Sequence, residues 1–121
     1  WERKITLIVP VPLHSRQKRK RGFNQAEIVA KILSENTGIA MDAGAVKRIK
    51  ATSPQKELGD KGRKRNIRGA FAVQKNVKGE NIVLIDDIYT TGSTLDEAAR
   101  VLKKAGAENV YFLTVSIGQG I

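Results

Sequence analysis

The segment from Ile82 to Thr94 constrains the fold of this chain more than any other, because it joins a buried strand to a helix through a polar turn. Four apolar residues, Ile82–Ile85, run without a break, as in a strand that is covered on both faces of a parallel sheet. Two carboxylates, Asp86 and Asp87, follow at the carboxyl end of that strand. In an open parallel sheet, ligands bind in the crevice outside the strand ends. The segment therefore predicts a ligand site in an α/β domain.

The turn after the two acids has the composition of an anion site. The first N–H groups of a helix lack intrahelical partners and carry the positive end of the helix dipole, so they attract phosphate. The predicted cradle consists of Thr90, Thr91, Gly92, Ser93 and Thr94. Its glycine would permit a tight turn without a Cβ clash. Carboxylates beside such a cradle suit a sugar phosphate, and the alternative is a solvated acidic turn before an ordinary helix start.

Apolar periodicity predicts alternating strands and helices along the rest of the chain. We expect strands at Ile5–Val11, Val46–Ile49, Gly69–Val73, Asn81–Ile85 and Val110–Val115. We expect one helix from an N-cap at Asn24 to Gly38, and a second that contains Leu95 and ends at Gly106. This alternation predicts an α/β domain with a mainly parallel central sheet.

Side-chain patterns predict which parts of these elements are buried. In the first helix, Ile28 and Ile32 are expected to widen the buried apolar stripe. In the second, Asp96 and Glu97 are expected in the first turn, where negative charge complements the helix dipole. Three aromatic residues in the strand patterns are expected in the core: Phe71, Tyr111 and Phe112.

Charge is distributed very unevenly along the chain. The net charge is +10, yet residues 1–78 carry 19 Lys or Arg against 6 Asp or Glu, and residues 79–121 carry 3 against 6. The basic surplus is concentrated in residues 16–21 and 61–68. Such clusters would hold pyrophosphate or the backbone of a nucleic acid, and the alternative is solvated loops.

Length and composition exclude several kinds of protein. The 121 residues suit one domain, and the absence of Cys excludes disulfides and thiolate metal sites. No apolar run approaches the ~20 residues of a transmembrane helix, so we expect no membrane span and a cytoplasmic location. The chain begins Trp1–Lys4 without an initiator Met or a signal-peptide pattern, and we expect a fragment of a longer chain.

Three blocks of sequence resemble one known family. The first is Ile82–Thr94, whose two acids and Thr-Thr-Gly-x-Thr turn resemble the phosphoribosyl pyrophosphate signature of type I phosphoribosyltransferases. At position 89 the signature usually has an aliphatic residue, and this chain has Tyr89 instead. An aromatic residue at this position resembles the ComF competence family. The upstream blocks that resemble this family are Val9–His14 with Arg21–Gln25, and Ser53–Leu58 with Arg63, Asn66 and Gly69–Phe71. The Cys-rich zinc module that precedes this domain in many ComF-like proteins is not in this sequence.

This resemblance, to the ComF and amidophosphoribosyltransferase-like branch, implies a fold, a substrate and a cofactor. The fold is a type I phosphoribosyltransferase-like three-layer α/β domain over residues 1–121. The substrate is phosphoribosyl pyrophosphate, whose phosphoribosyl group passes to an acceptor through an oxocarbenium-like transition state. Asp86 and Asp87 would bind the ribose hydroxyls and hold Mg²⁺ directly or through water, and the turn at Thr90–Thr94 would bind the 5-phosphate.

The resemblance also implies two further groups of site residues. Four residues after the first strand would form the pyrophosphate loop: Leu13, His14, Ser15 and Arg16. Three residues of a flexible loop at 50–66 would join the two acids as catalytic residues: Gln55, Lys56 and Arg63. These three would close over the substrate and neutralise the leaving group. The alternatives are an exposed His14 and a basic loop without a role.

Other functions stay open on the sequence alone. A ComF-like competence protein would assist uptake of single-stranded DNA, which suits the basic surplus, although the few aromatic residues disfavour base stacking. A non-catalytic sensor would bind phosphoribosyl pyrophosphate without turnover. A homodimer is compatible with either function, and the sequence does not identify an acceptor.

Overall fold

Six strands and two helices make up the part of the chain that the computed structural model describes, residues 4–12, 24–49, 67–87 and 92–115. The strands are β1 (Leu7–Pro10), β2 (Ala40–Met41), β3 (Val46–Arg48), β4 (Phe71–Val73), β5 (Asn81–Asp87) and β6 (Asn109–Val115). The helices are α1 (Gln25–Thr37) and α2 (Gly92–Lys104). Each predicted element is present, and β2 is additional.

The central sheet consists of four parallel strands in the order β2-β1-β5-β6. The chain passes from β1 to β2 on one side and from β5 to β6 on the other. The adjacent strands β1 and β5 therefore flank the point at which the strand order reverses. In such sheets a crevice opens outside the carboxyl ends of the two strands, and ligands bind there.

The two helices cover opposite faces of this sheet. On one face α1 packs through two small residues against Ile8 and Ile85, and Ala26 and Ala30 allow this close approach. On the other face α2 packs through Leu95, Ala98 and Leu102. The antiparallel pair β3–β4 lies on the α2 side and adds Val46 and Phe71 to the same core. The expected three-layer α/β fold with a mainly parallel sheet is confirmed.

The ends of the helices follow from their capping residues. Asn24 accepts the N–H of Ala26 at 3.0 Å as the N-cap of α1, and its amide donates to the carbonyl of Val11 at 3.1 Å. Gly38, with φ of 77°, ends α1 in the left-handed conformation that glycine adopts without strain. Both caps confirm the sequence prediction.

Asn24→Ala is expected to lower the free energy of unfolding by about 1 to 2 kcal/mol, because the substitution removes both the cap and the bond to Val11. Urea unfolding followed by circular dichroism measures this loss. Asn36→Ala, near the exposed carboxyl end of the same helix, is the matched control and should cost less. An equal cost for the two variants would contradict the role given to Asn24.

Several sequence predictions about burial are wrong. Ile28 is 42% and Ile32 is 52% exposed, because the alanines of α1 face the sheet instead. Phe112 is 49% exposed, because β6 is the edge strand of the sheet. The aromatic prediction is confirmed for Phe71, which lies in the core. No helix in the described ranges combines the length and hydropathy needed to span a bilayer.

Candidate functional site

The two adjacent acids are the last residues of β5 and are almost completely buried. Asp86 is 3% and Asp87 is 6% exposed. The sequence placed them just after the strand, whereas the ladder with β6 continues through both, as Asp86–Thr114 and Asp87–Val115. The alternative of a solvated acidic turn is therefore wrong for these side chains. Buried carboxylates require paired charges, donors or a cation to compensate lost hydration.

Side-chain alternation places the two carboxylates on opposite faces of the sheet. Ile82 and Leu84 belong to the core on the α2 face, so Asp86 continues that face. Ile85 belongs to the core on the α1 face, and so does Val115, the direct neighbour of Asp87. The mutual repulsion expected from adjacency in sequence is therefore reduced by the pleat of the strand.

Asp86 accepts a backbone hydrogen bond, and a cation, Arg48, lies at the end of β3. The Oδ1 of Asp86 accepts the N–H of Asp87 at 2.8 Å. The guanidinium of Arg48, at the end of β3, lies over the ring of Phe71 with its carbon 5.4 Å from the ring centroid. Burial lowers the pKa of Arg48 below its ordinary value, and the negative charge of Asp86 acts in the opposite direction.

The first turn of α2 comes soon after β5 in the chain, since β5 ends at Asp87 and α2 begins at Gly92. Gly92, Ser93 and Thr94 form this turn, with Thr94 buried and Gly92 exposed. The φ of Gly92 is not positive and an added Cβ would meet no atom within 4 Å, so the protein backbone by itself does not require glycine at this position. A glycine here leaves the helix start open to close approach by a ligand.

A buried glutamate connects α2 to the turn before β4. Glu97 accepts the N–H of Gly69 at 3.0 Å and two bonds from Arg100, at 2.8 and 2.7 Å. The bond from Arg100 lowers the pKa of Glu97, burial opposes this shift, and the bond from Gly69 supports it. Because α2 begins at Gly92, both Asp96 and Glu97 lie beyond the first turn, and the prediction that they complement the helix dipole there is wrong.

A pocket of about 190 Å³ opens beside this glutamate. Its lining combines the first two turns of α2 with the turn before β4: Ile67, Arg68, Ser93, Asp96, Glu97 and Arg100. The pocket therefore adjoins the predicted phosphate cradle through Ser93.

The structure describes five of the predicted site residues, and it places them at the carboxyl end of the central strand β5 and at the start of the helix that follows it. Asp86 and Asp87 end β5, and Gly92, Ser93 and Thr94 begin α2. The other predicted site residues lie outside the described residues: Leu13, His14, Ser15, Arg16, Gln55, Lys56, Arg63, Thr90 and Thr91. In the described ranges no cluster of three or more His, Asp or Glu residues has the spacing of a metal site.

The donor set at the end of β5 fits magnesium. Mg²⁺ prefers oxygen ligands, keeps several of its waters, and is commonly held by one or two carboxylates together with phosphates of the substrate. Asp86 and Asp87 would supply the carboxylates, and their buried position would strengthen an interaction with a cation.

The interactions of three residues near the site, Arg48, Glu97 and Arg100, were not identified from the sequence, although each residue carried a signal. Arg48 is two residues from the buried Val46 in a strand, and this spacing places a cation on the buried face. Glu97 and Arg100 are three residues apart on a helix, which is the spacing of an ion pair. Neither signal reveals which distant segment each side chain contacts.

Comparison with known proteins agrees with this fold. Residues 18–117 match the sequence family described as "Phosphoribosyl transferase domain". A solved structure of an allosteric regulatory enzyme of purine biosynthesis has a similar fold, with a TM-score of 0.57 and 23% identity, over 92% of this chain and 22% of that chain.

Curated relatives share more of the sequence. DNA utilization protein YhgH of Salmonella typhi is 42% identical over 103 residues, which are 85% of this chain and 45% of that protein. Competence protein F of Haemophilus influenzae is 41% identical over 85% of this chain and 46% of its own. Competence protein ComFC of Bacillus subtilis is 35% identical over 90% of this chain and 43% of its own. The chain spans less than half the length of these relatives.

Proposed function

Since this chain belongs to the type I phosphoribosyltransferase superfamily, in its ComF-like branch, we propose that it binds phosphoribosyl pyrophosphate with Mg²⁺ and transfers the phosphoribosyl group to an acceptor. The observation that carries the proposal is the burial of two carboxylates at the point where the strand order of the sheet reverses, next to the start of α2. A sugar phosphate offers hydroxyls to the two carboxylates and a phosphate anion to the start of α2.

The described residues would bind different parts of phosphoribosyl pyrophosphate. Asp87 and Asp86 would accept hydrogen bonds from the ribose hydroxyls, and charge-assisted bonds of this kind are the strong ones. Ser93 and Thr94, with the N–H groups of the first turn of α2, would bind the 5-phosphate. Mg²⁺, when bound, would neutralise the charge of the pyrophosphate as it leaves. Held in this way, the anomeric carbon is exposed to an acceptor while both ends of the sugar are immobilised.

Calorimetry with phosphoribosyl pyrophosphate, in Mg²⁺ and in EDTA, tests the binding step. We expect binding in Mg²⁺ and a loss of at least about tenfold in affinity in EDTA, because a polyanion at the proposed site would lie near two negative carboxylates, Asp86 and Asp87. Ribose 5-phosphate under the same conditions is the control that lacks the pyrophosphate. Equal affinity with and without Mg²⁺ would contradict the proposed arrangement, and pyrophosphate release in a screen of acceptors tests transfer itself.

A second function, binding of single-stranded DNA, is favoured by the basic surplus on residues 1–78 and by the names of the DNA utilization and competence relatives. Counterion release alone produces salt-sensitive binding without sequence preference. Competition separates the two functions. If the basic clusters serve the pyrophosphate, phosphoribosyl pyrophosphate with Mg²⁺ should displace the DNA in a filter-binding titration at fixed salt. Simultaneous tight binding would favour a separate DNA surface.

A further inference from the structure

The outer edge of β6 lacks the features that usually protect the edge of a sheet. β6 is seven residues long and ends the strand order, and none of the described strands pairs with its outer side. The opposite edge strand, β2, has only two residues, and shortness is one way in which edge strands avoid pairing. β6 contains no Lys and no Pro, and its register with β5 runs from Asn109 to Val115 without a bulge. Such an edge is a template for pairing with another strand.

This edge is apolar on both faces of the sheet. Phe112 lies beside Leu84 in the register, so it continues the face that α2 covers, and it is 49% exposed. Leu113 lies beside Ile85 on the face that α1 covers, and it is 42% exposed. A helix that docked here would cover only one of these side chains, because neighbouring residues of a strand point to opposite faces. An added strand would cover both, since its own side chains alternate in the same way.

Charge indicates what pairs with this edge. The chain carries a net charge of +10, so most contacts between two copies are opposed by repulsion. β6 lies in residues 109–121, which form the longest run of the chain without Lys, Arg, Asp or Glu. An acidic partner would gain no electrostatic attraction from this strand and would be drawn to the basic clusters instead. A second copy of β6, by contrast, meets no like charge.

We infer that a second copy of this chain pairs with β6, antiparallel about a two-fold axis, and joins two four-stranded sheets into one of eight strands. All seven residues of both strands overlap only when the axis passes through Phe112, the middle residue of β6. Phe112 then lies opposite its own copy, and Leu113 lies opposite Tyr111 of the other copy. Aromatic pairs that face each other across two strands stabilise a sheet.

The inference is independent of the proposed function. Asp86 and Asp87 end β5, and antiparallel pairing places the two acid pairs at opposite ends of the joined sheet. A contact of seven residues is also smaller than the ~20 to 30 residues a side of a standard interface. We therefore expect a dimer whose fraction rises with protein concentration.

Sedimentation equilibrium over a series of concentrations tests the inference. The unmodified chain should form dimers, and Phe112→Lys should raise the dimer dissociation constant at least about tenfold, because it places like charges opposite each other at the axis. Ile32→Lys is the matched control, since it adds the same charge at an apolar residue of α1 that is 52% exposed. This control should change the dissociation constant much less. Circular dichroism checks that both variants fold.

Cysteine cross-linking tests the register of the two strands. The chain contains no Cys, so a single introduced thiol can form a disulfide only with that of another copy. Phe112→Cys should form a disulfide-linked dimer under mild oxidation, because antiparallel strands bring opposite Cα atoms to about 4.5–5.5 Å. Thr114→Cys lies on the same face of the same strand and should not cross-link, because its two copies would be offset by four residues, or about 13 Å.

Each outcome decides for or against the inference. A monomer at every concentration overturns it, and so do equal dissociation constants for Phe112→Lys and Ile32→Lys. Equal cross-linking of Phe112→Cys and Thr114→Cys also overturns it. If Phe112→Lys does not fold, the two cysteine variants decide. A dimer that Phe112→Lys weakens more than the control does, and that cross-links only through position 112, establishes β6 as the interface.

Discussion

Asp87→Asn is expected to weaken the Mg²⁺-dependent binding of phosphoribosyl pyrophosphate by about 100-fold, or about 2.7 kcal/mol, while the fold stays intact. The substitution keeps the shape of a buried side chain but removes the charge that ribose hydroxyls and a cation would use. Calorimetry measures the affinity, and circular dichroism checks the fold. Glu108→Gln, the same change of charge at an exposed residue just before β6, should leave the affinity unchanged.

The position of the control makes the result interpretable. Glu108 precedes β6 at the amino end of the sheet, whereas Asp87 lies at the carboxyl end of β5. A general effect of net charge on a polyanion would therefore appear in both variants. Unchanged affinity in Asp87→Asn would place the ribose site elsewhere and would remove the main support for the proposed function.

Glu97→Ala is expected to lower the free energy of unfolding by about 2 kcal/mol at neutral pH, because it removes the bonds to Gly69 and Arg100 together. Denaturant unfolding measures the loss. Asp96→Asn, at the exposed neighbouring carboxylate, is the matched control and should change stability by no more than about 0.5 kcal/mol. Equal losses in the two variants would show that the connection between α2 and the turn before β4 contributes little.

The stabilisation by Glu97 should also depend on pH in a definite direction. Because the folded state lowers the pKa of Glu97 from its ordinary value of 4.5, the contribution of its charge is present above that pH. The contribution is lost as pH falls through the lowered pKa. The difference in stability between the unmodified chain and Glu97→Gln should therefore narrow below pH 4.5. A difference that stays constant into acid would contradict the ionic role.

The order of the elements and the positions of the two acids and the helix start could be predicted from local patterns. An uninterrupted apolar run before two acids predicted the central strand, and the caps at Asn24 and Gly38 predicted the ends of α1, because these signals depend on neighbouring residues only. Burial of Ile28, Ile32 and Phe112 could not be predicted in this way. Which apolar face is covered depends on the neighbours that the sheet order supplies.

By itself, the sequence determined that this chain forms an α/β domain with two carboxylates and a helix start at one strand end. Only the tertiary structure decided which distant groups bond to that helix. Glu97 and Gly69 are joined by a hydrogen bond across 28 positions, so no sequence periodicity relates them. Their contact follows from the packing of β3–β4 and α2 on one face of the sheet, because a buried carboxylate needs hydrogen-bond donors to compensate its lost hydration.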